Sequence, residues 1–232
     1  MRPEDCDSVR ALSLFKDMDA AVFGELVSAA YLQRFPAQID LIKEGDPADF
    51  LYIVVEGSVE LYGSSNGRES TMAMVRPVST FILAASIKDA PYLMSARTLE
   101  ASKLLLIPSD DIRRAFATDD KFARAIVVEL ASCYRAVIKS MKNLKLRTSI
   151  ERVANYILRM HARAGGSDTV ELQVGKRNLA SMLGMTPENL SRAFGALQAH
   201  GVSVDGRQIT IEDAERLARY AKPTPLIDDP RG

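Results

Sequence analysis

The sequence has few of the residues from which catalytic and metal sites are usually built. Its 232 residues include two cysteines, two histidines and no tryptophan. The cysteines, Cys6 and Cys133, are too few for a disulfide framework or a four-thiolate metal site. The histidines, His161 and His200, fall in separate predicted helices, and the sequence has neither a nucleophile motif nor a Gly-rich phosphate loop. We therefore predict no catalytic residue, no metal site and no enzymatic activity.

Long apolar runs and an excess of charge of one sign are also absent. No apolar run approaches the ~20 residues of a membrane span, and the first residues show no signal-peptide pattern. Lysine plus arginine and aspartate plus glutamate each number 30. Residues 139–163 nevertheless hold seven lysines and arginines against one acid, Glu151. The sequence predicts a cytoplasmic protein without membrane contact, whose concentrated positive charge either meets nucleic acid or covers a solvated helix face.

Residues 176–201 have the pattern of a helix-turn-helix. An apolar stripe at 178–183 predicts a first helix, and Gly184 begins the turn. Thr186 then has the side chain of an N-cap, and a proline and an acid follow it in the first turn of a second helix. An apolar stripe with spacing i, i+4, i+7 continues this second helix until Gly201 ends it.

The outward face of the second helix, near its start, carries side chains that suit base edges. Arg192 can donate two hydrogen bonds to guanine, Glu188 can accept one from cytosine, and Ser191 is small enough to approach a thymine methyl group. An ordinary αα-hairpin with a polar face is the alternative. The Asp-Gly pair at 205–206 predicts a hairpin that forms the wing of a winged helix, with Arg207 at its tip reaching a phosphate, or that only closes the domain core.

Residues 119–146 contain no glycine or proline and predict one long helix. Apolar residues recur in it with alternating spacings of three and four, as in the seam of a two-stranded coiled coil, and a second apolar stripe lies beside the seam. We expect the seam to pair with the same helix of a second subunit, and the second stripe to pack on the N-terminal domain. A helix buried in a monomeric core is the alternative. The predicted seam, or dimer interface, consists of Val127, Leu130, Tyr134, Val137, Met141 and Leu144.

The N-terminal part has the pattern of a β-sheet domain. From residue 34 to residue 107, short β-prone runs are separated by glycine, proline and asparagine with no helix between them, which implies a closed antiparallel roll or barrel. The predicted fold class is α+β, with a sensor β-roll domain at 1–118 and a dimerisation helix at 119–146. A winged helix-turn-helix DNA-binding domain follows at 147–221, and a Pro-rich tail at 222–232 is predicted to be disordered.

The motifs together resemble a known family. The stretch LIKEGDPADFLYIVVEGSVELY resembles the β-roll of the cyclic-nucleotide-binding superfamily, and residues 10–220 as a whole resemble the CRP/FNR family of transcription regulators. Residues 188–192, Glu-Asn-Leu-Ser-Arg, are similar to the Glu-Thr-Ile-Ser-Arg pattern of the FNR branch. The resemblance implies a homodimer on double-stranded DNA, a palindromic operator close to TTGAT-N4-ATCAA, and contact with RNA polymerase. It also implies phosphate contacts from Lys176, Thr186 and Asn189.

The sequence lacks the residues with which members of that family bind their effectors. Cyclic-nucleotide sites of the family use a Gly-Glu pair that opens a short helix and an Arg-Ser or Arg-Thr pair on the next strand. Residues 78–96 contain no glycine, glutamate or arginine, so a cyclic phosphate would be buried without a partner. The FNR iron–sulfur cluster needs four cysteines, and this sequence has two. We therefore expect neither cyclic AMP nor an iron–sulfur cluster.

An apolar stretch stands where the sensor site belongs, and it is either a filled core or a pocket for a flat hydrophobic effector. The stretch TFILAASIKDAPYLMSARTLEA is similar to the DNR/NnrR-like nitric-oxide-responsive regulators, for which haem is a proposed sensor. Haem is thus one candidate cofactor, and an apolar organic acid or no effector at all is the alternative. The predicted pocket residues are Phe81, Leu83, Ala84, Tyr92, Met94, Ser95 and Leu130. Ligands to haem would have to come from Met72, Met74, Tyr92, Met94 or an N-terminal group of the partner subunit.

A second function class is a ligand-sensing β-roll module that does not bind DNA. The second helix with Glu188 and Arg192 argues against this class, because a pure ligand sensor needs no recognition helix.

Overall fold

The computed structural model describes residues 3–229, with side chains from residue 5 onward. These residues form two compact units, and the boundary between the units falls between Ser132 and Cys133, inside one continuous helix. The N-terminal unit contains two antiparallel sheets, and the C-terminal unit contains a helix-turn-helix with a small sheet. The predicted α+β class, with a β-roll, a long helix and a winged helix-turn-helix, is confirmed. Within residues 3–229, no helix is both long enough and apolar enough to cross a bilayer.

The N-terminal unit begins with two helices and continues with eight strands. A short helix, α3, interrupts these strands where the sequence predicts strands alone. The elements are α1 (Pro3–Arg10), α2 (Ala20–Ala29), β1 (Tyr31–Phe35), β2 (Asp40–Ile42), β3 (Phe50–Glu56), β4 (Val59–Ser65), β5 (Arg68–Val75), β6 (Ser79–Phe81), α3 (Leu83–Lys88), β7 (Ser95–Thr98), β8 (Ser102–Pro108), α4 (Ser109–Thr118) and α5 (Asp120–Leu146), the last of which continues into the second unit.

The first sheet of the roll, in the order β1-β8-β3-β6, is covered on both faces. On β3, Tyr52 and Val54 face a core shared with the second sheet, β2-β7-β4-β5. Leu51 and Ile53 face a second core, which they share with α2, α4 and α5. A strand buried on both faces has an almost continuous apolar sequence, which is why the run at 50–55 shows no polar alternation.

The start of α5 is anchored in the second of these cores. Phe122 and Ile126 are buried there, and the Phe122 ring stacks on Phe15 with 5.7 Å between ring centroids. The carboxylate of Asp119 accepts hydrogen bonds from the backbone N–H of Phe122 at 2.9 Å and of Asp19 at 2.7 Å. Asp19 in turn caps α2, so two helix starts are joined through one pair of carboxylates.

The C-terminal unit is organised around α6, which packs against α8 and α9. A reciprocal capping box starts α6: the Thr148 hydroxyl accepts from the Glu151 N–H at 3.3 Å, and the Glu151 carboxylate accepts from the Thr148 N–H at 2.8 Å. A three-stranded antiparallel sheet has the order β10-β11-β9. The elements are α6 (Ser149–Arg163), β9 (Thr169–Glu171), α7 (Lys176–Met182), α8 (Pro187–Leu197), a 3₁₀ turn (Gln198–His200), β10 (Val202–Asp205), β11 (Gln208–Ile211), α9 (Ala214–Ala221) and α10 (Pro225–Asp228).

The segment after α9 differs from the expectation of disorder. Its residues 225–228 form the short helix α10, and the carboxylate of Asp228 pairs with Arg147 and Arg159. Composition alone predicts disorder because the segment has few apolar residues to bury, and it does not register a pairing between residues 81 positions apart. Residues 230–232 of the predicted disordered tail lie outside the described residues.

The cap at the start of α5 yields a test of stability. Burial alone would raise the pKa of Asp119, but hydrogen bonds from the backbone N–H groups of Phe122, Asp19 and Lys121 outweigh it and lower that pKa. Its stabilisation is therefore present above the ordinary aspartate pKa of ~3.9 and is lost as the pH falls through the lower folded value. We expect Asp119→Ala to lower the free energy of unfolding by about 1–2 kcal/mol at pH 7.

Urea unfolding at pH 7 and at progressively lower pH measures this difference. Asp120→Ala is the matched control, because Asp120 is an exposed acid in the first turn of the same helix. The gap between the two variants should close at acid pH, where Asp119 is protonated. A gap that is absent at pH 7, or that does not change with pH, would contradict the assignment.

Candidate nucleic-acid interface and sensor region

The turn between α7 and α8 is formed by a glycine in the left-handed region. Gly184 has φ +63°, and its N–H donates to the Ser181 carbonyl at 2.9 Å. A Cβ at this position would lie 2.6 Å from the Cδ2 atom of Leu144, near the end of α5. Glycine is therefore favoured by the backbone conformation, and a larger residue would also have to displace the Leu144 side chain. The turn that the sequence predicts at Gly184 is thus present in the structure.

The first turn of α8 follows the sequence pattern. The Thr186 hydroxyl accepts a hydrogen bond from the Asn189 N–H at 3.2 Å, and Pro187 occupies the first helical position. The inward face of the helix is buried in the C-terminal unit. Its buried residues are Leu190, Ala193, Phe194 and Leu197. The helix is thereby fixed on one face, which leaves the opposite face to solvent.

The solvent face of α8 presents an acid, a hydroxyl and a base. Glu188, Ser191 and Arg192 are all exposed. A hydrogen bond from the Thr186 side chain lowers the pKa of Glu188, so this carboxylate stays ionised at neutral pH. The Arg192 guanidinium donates to the Asn189 side-chain oxygen, and the Ser191 hydroxyl donates to the Pro187 carbonyl at 3.1 Å. The face therefore offers an acceptor and a forked donor within two helical turns, a pair suited to base edges.

Two further residues of the predicted interface lie outside α8. The Lys176 ammonium, at the start of α7, is 5.9 Å from the centroid of the Phe194 ring. The Arg207 guanidinium does not extend from the tip of the β10–β11 hairpin. It donates to the Leu172 carbonyl at 3.1 and 2.6 Å and lies 3.5 Å from the Glu171 carboxylate. In this conformation Arg207 binds the edge of β9.

The positive charge counted at 139–163 is partly internal to the unit. Arg152 is buried and donates to the carbonyls of Leu183 at 2.7 Å, Gly184 at 3.2 Å and Arg147 at 2.8 Å. Burial lowers its pKa. Arg147 and Arg159 pair with Asp228. The sequence predicts that these arginines contribute to a positive surface. In the structure, Arg147 and Arg159 are paired with the Asp228 carboxylate and Arg152 with three backbone carbonyls, so much of their charge is used inside the unit.

The predicted effector-pocket residues do not surround one space. Phe81, Tyr92 and Met94 belong to the core between the two sheets. Leu83 and Leu130 belong to the core that contains the start of α5. The two remaining residues have other surroundings: Ala84 is exposed, and Ser95 is buried with its hydroxyl accepting from the Glu44 N–H at 3.0 Å. This distribution favours the filled-core interpretation of the apolar stretch over a single preformed pocket.

Arg97, on the strand that follows α3, forms ion pairs with two acidic residues of the roll. Arg97, on β7, lies 2.7 Å from the Glu60 carboxylate and 3.1 Å from that of Glu69, and its guanidinium stacks on the Tyr62 ring at 4.3 Å. The Glu60 side chain is only 3% exposed. Although burial opposes the charge of Arg97, these two carboxylates raise its pKa overall. Arg97 is thus paired within the sheet rather than available to a phosphate.

The predicted dimer seam is exposed along most of α5. Five of its six residues show between 43% and 67% of their surface, and Leu130 is partly buried against the N-terminal core. The exposed five are Val127, Tyr134, Val137, Met141 and Leu144. A continuous row of exposed apolar side chains is typical of a protein interface. The second stripe behaves as expected at its start, where Ile126 is buried in the N-terminal unit.

Histidine is the commonest metal ligand, so the surroundings of the two histidines bear on whether the chain has a metal site. The His161 ring lies 2.9 Å from the Ser167 carbonyl, and the His200 ring stacks on Tyr220. Both histidines belong to the C-terminal unit. Across the part of the chain that the structure describes, no group of three or more histidine, cysteine, aspartate or glutamate side chains is arranged to hold a metal ion.

Comparison with known proteins assigns both units. Residues 32–119 match the family described as the cyclic nucleotide-binding domain, and residues 151–220 match the Crp-like helix-turn-helix domain. Over 215 residues the chain is 24% identical to the CRP-like cAMP-activated global transcriptional regulator of Mycobacterium tuberculosis, covering 90% of this chain and 96% of that protein. The order of the two domains along the chain is that of the predicted roll and winged helix.

Solved structures agree with this assignment. FixK2 from Bradyrhizobium japonicum is similar over 82% of this chain and 96% of its own, at 27% identity and a TM-score of 0.69. DNR from Pseudomonas aeruginosa is similar over 95% of this chain and 99% of its own, at 25% identity and a TM-score of 0.52. The likeness covers both units in each case.

The tight turn before α8 can be tested by adding one methyl group. Gly184→Ala forces a side chain into the left-handed region, which costs about 1–2 kcal/mol, and it displaces Leu144 as well. We expect a lower melting temperature of the intact protein. Gly195→Ala, within α8 and next to open space, is the control, and alanine there should be neutral or stabilising. Equal melting temperatures for Gly184→Ala and wild type would show that the turn tolerates a Cβ.

Proposed function

This chain belongs to the CRP/FNR family of transcription regulators, and from that premise we propose that it binds a palindromic DNA operator as a homodimer, with α8 of each subunit in a major groove. The observation that carries the proposal is the solvent face of α8, where Glu188 and Arg192 stand on a helix whose other face is buried. A ligand-sensing module without DNA binding has no use for this face. We place the protein in the cytoplasm, where its DNA target lies.

The operator we propose is FNR-like, close to TTGAT-N4-ATCAA. Arg192 would donate to the guanine, Glu188 would accept from the amino group of the paired or adjacent base, and Ser191 would approach the thymine methyl group. Asn189 already lies beside Arg192, so it supports the fork of the guanidinium. Lys176, Thr186 and Asn189 are our candidates for phosphate contacts. Arg207 joins them only after leaving the Leu172 carbonyl.

Dimerisation is proposed to use the exposed seam of α5. Pairing two copies of this helix would bury Val137, Met141 and their neighbours, which are exposed in the single chain. Two copies of α8 would then meet successive major grooves about one helical turn, ~34 Å, apart, as a palindrome requires. Contact with RNA polymerase, which the family resemblance implies, is part of the proposal.

The effector we propose is not a cyclic nucleotide. The residue before α3 is Ile82 and the first residue of the helix is the buried Leu83, so neither an acid nor a hydroxyl stands at the helix start to hold a ribose. Arg97 could bind a phosphate only by breaking its ion pairs with Glu60 and Glu69. Removing Arg97 from Glu60 would leave that buried carboxylate without its cation, which is strongly unfavourable.

Haem fits the roll poorly as well. The Tyr92 hydroxyl donates to the Phe50 carbonyl at 3.2 Å, Met94 packs in the core between the sheets, and Met72 is exposed. Tyr92 and Met94 are therefore already engaged within the roll, and Met72 lies at its surface. An apolar organic molecule that inserts between α3 and the start of α5, near Ile87 and Leu130, is the effector class that we favour.

Regulation is proposed to be a population shift between two arrangements of the DNA-binding domains. An effector against α3 and α5 would favour one of them through contacts that differ between the two states. The junction at residues 143–148, where the apolar periodicity of α5 stops, is the proposed hinge.

Base recognition by Arg192 gives the sharpest test. Arg192→Ala should weaken operator binding by about 1–3 kcal/mol and abolish the preference for guanine at its position. Fluorescence anisotropy at one fixed salt concentration should compare the operator with a duplex in which that guanine pair is replaced. Arg219→Ala, which removes an exposed arginine from α9, is the control and should leave the preference intact. A variant lacking Arg192 that still discriminates fully would exclude this recognition mode.

The effector proposal is tested by two titrations. Cyclic AMP should show no saturable binding by calorimetry, because Arg97 is already paired with Glu60 and Glu69. Haemin should give broad absorption that does not saturate. A sharp Soret band that saturates at one haem per subunit and shifts with carbon monoxide or nitric oxide would replace our effector class by haem. Saturable binding of cyclic AMP would overturn the exclusion of the nucleotide.

A further inference from the structure

A single carboxylate ties the segment after α9 to the junction between α5 and α6. Asp228 meets Arg147 with two parallel bonds: Oδ1 lies 2.9 Å from Nη1, and Oδ2 lies 2.5 Å from Nη2. The Oδ1 atom is also 3.0 Å from Nη1 of Arg159 on α6. The Thr224 N–H donates to Oδ2 at 2.8 Å, so the carboxylate is held from its own segment too. We call residues 222–229 the strap.

The strap is attached on both sides of the junction. Arg147 lies between α5 and α6, and its guanidinium also donates to the Asn143 side chain at 3.1 Å. Further back on α5, the Lys139 ammonium donates to the Asp229 carbonyl at 2.7 Å. The strap therefore spans from the end of α5, across residues 147–148, to Arg159 on α6. Bending at the junction would have to break or stretch these bonds.

The central pair is largely enclosed. The side chains of Arg147 and Asp228 are 7% and 11% exposed. Burial alone would raise the pKa of Asp228, but the hydrogen bonds from Arg147 and from the Thr224 N–H lower it, so the carboxylate is charged at neutral pH. A bidentate arginine–carboxylate pair removed from water fixes geometry much more firmly than a pair on the surface.

A route from this pair to the helix-turn-helix also exists. The Arg147 carbonyl accepts a hydrogen bond from Arg152, and the same guanidinium donates to the Leu183 and Gly184 carbonyls in the turn before α8. Arg147, whose side chain binds the strap, is thus linked through its carbonyl and the Arg152 guanidinium to the turn before α8.

We propose that the strap is a built-in restraint on the α5–α6 junction, and that its release through Asp228 loosens the junction and changes the affinity for operator DNA. The restraint is independent of what the protein binds, whereas the change in affinity rests on the function proposed above.

The test uses the full-length protein and Asp228→Asn, which keeps the shape of the side chain and removes its charge. Glu215→Gln is the matched control, because it removes an exposed acid from α9 of the same unit, away from the junction. Amide hydrogen exchange without DNA is followed at residues 143–152 and 222–229, with residues 190–197 of α8 as the internal reference. Operator affinity is then measured at fixed salt concentration.

We expect several-fold faster exchange at 143–152 and at 222–229 in Asp228→Asn, with the reference segment and the control unchanged. Operator affinity should differ from that of the control by about fivefold or more, the lower end of typical allosteric coupling. Should Asp228→Asn fail to fold, Arg159→Gln removes one of the three ion-pair bonds and is measured in the same way.

The possible results separate the two proposals. Exchange that rises only at 222–229, or at neither segment, overturns the restraint. Exchange that rises at both with unchanged affinity overturns the regulatory role and leaves a structural ion pair. If wild type binds no operator, the proposed function fails, and the exchange data still decide whether the strap restrains the junction.

Discussion

The packing of the start of α5 into the N-terminal core is the interaction on which the rest of the structure depends. At its start, Phe122 and Ile126 complete the core beneath the first sheet of the roll. Near its end, Leu144 contacts the turn before α8, where a Cβ on Gly184 would lie 2.6 Å from the Leu144 Cδ2 atom. Between these anchors the helix exposes the apolar seam. The helix therefore belongs to both units, with its start in the N-terminal core and its end beside the turn before α8.

Charged side chains also hold local structure in both units. Arg152 joins three backbone carbonyls, the Arg147–Asp228 pair closes the strap, and Lys103 meets Asp5 at 2.5 Å with both side chains buried. Removing one partner of such a pair leaves an unpaired buried charge, which is strongly destabilising. These cations consequently contribute to the shape of each unit, whereas Lys176 and Arg192 are exposed to solvent.

The side chains around α3 decide what the β-roll could bind. The sheets and the short helix α3 are present, yet Arg97 pairs with Glu60 and Glu69, and α3 begins with an apolar residue. A fold does not specify a ligand, because the ligand depends on a few side chains that the fold positions. In this chain the apolar side chains around α3 belong to two packed cores, so any molecule bound there would have to displace existing contacts.

The sequence by itself determined the α+β class, the two domains, the long helix and the helix-turn-helix, because periodicity, caps and turn glycines are local signals. It also identified the face of α8, since the helical repeat alone separates Glu188 and Arg192 from Leu190 and Phe194. Only the tertiary structure decided the roles of Arg147, Arg152 and Asp228, the order in residues 222–229, and the division of the apolar stretch between two cores. Those outcomes depend on contacts between residues distant in the chain, and no local pattern records which carboxylate or carbonyl a buried arginine will meet.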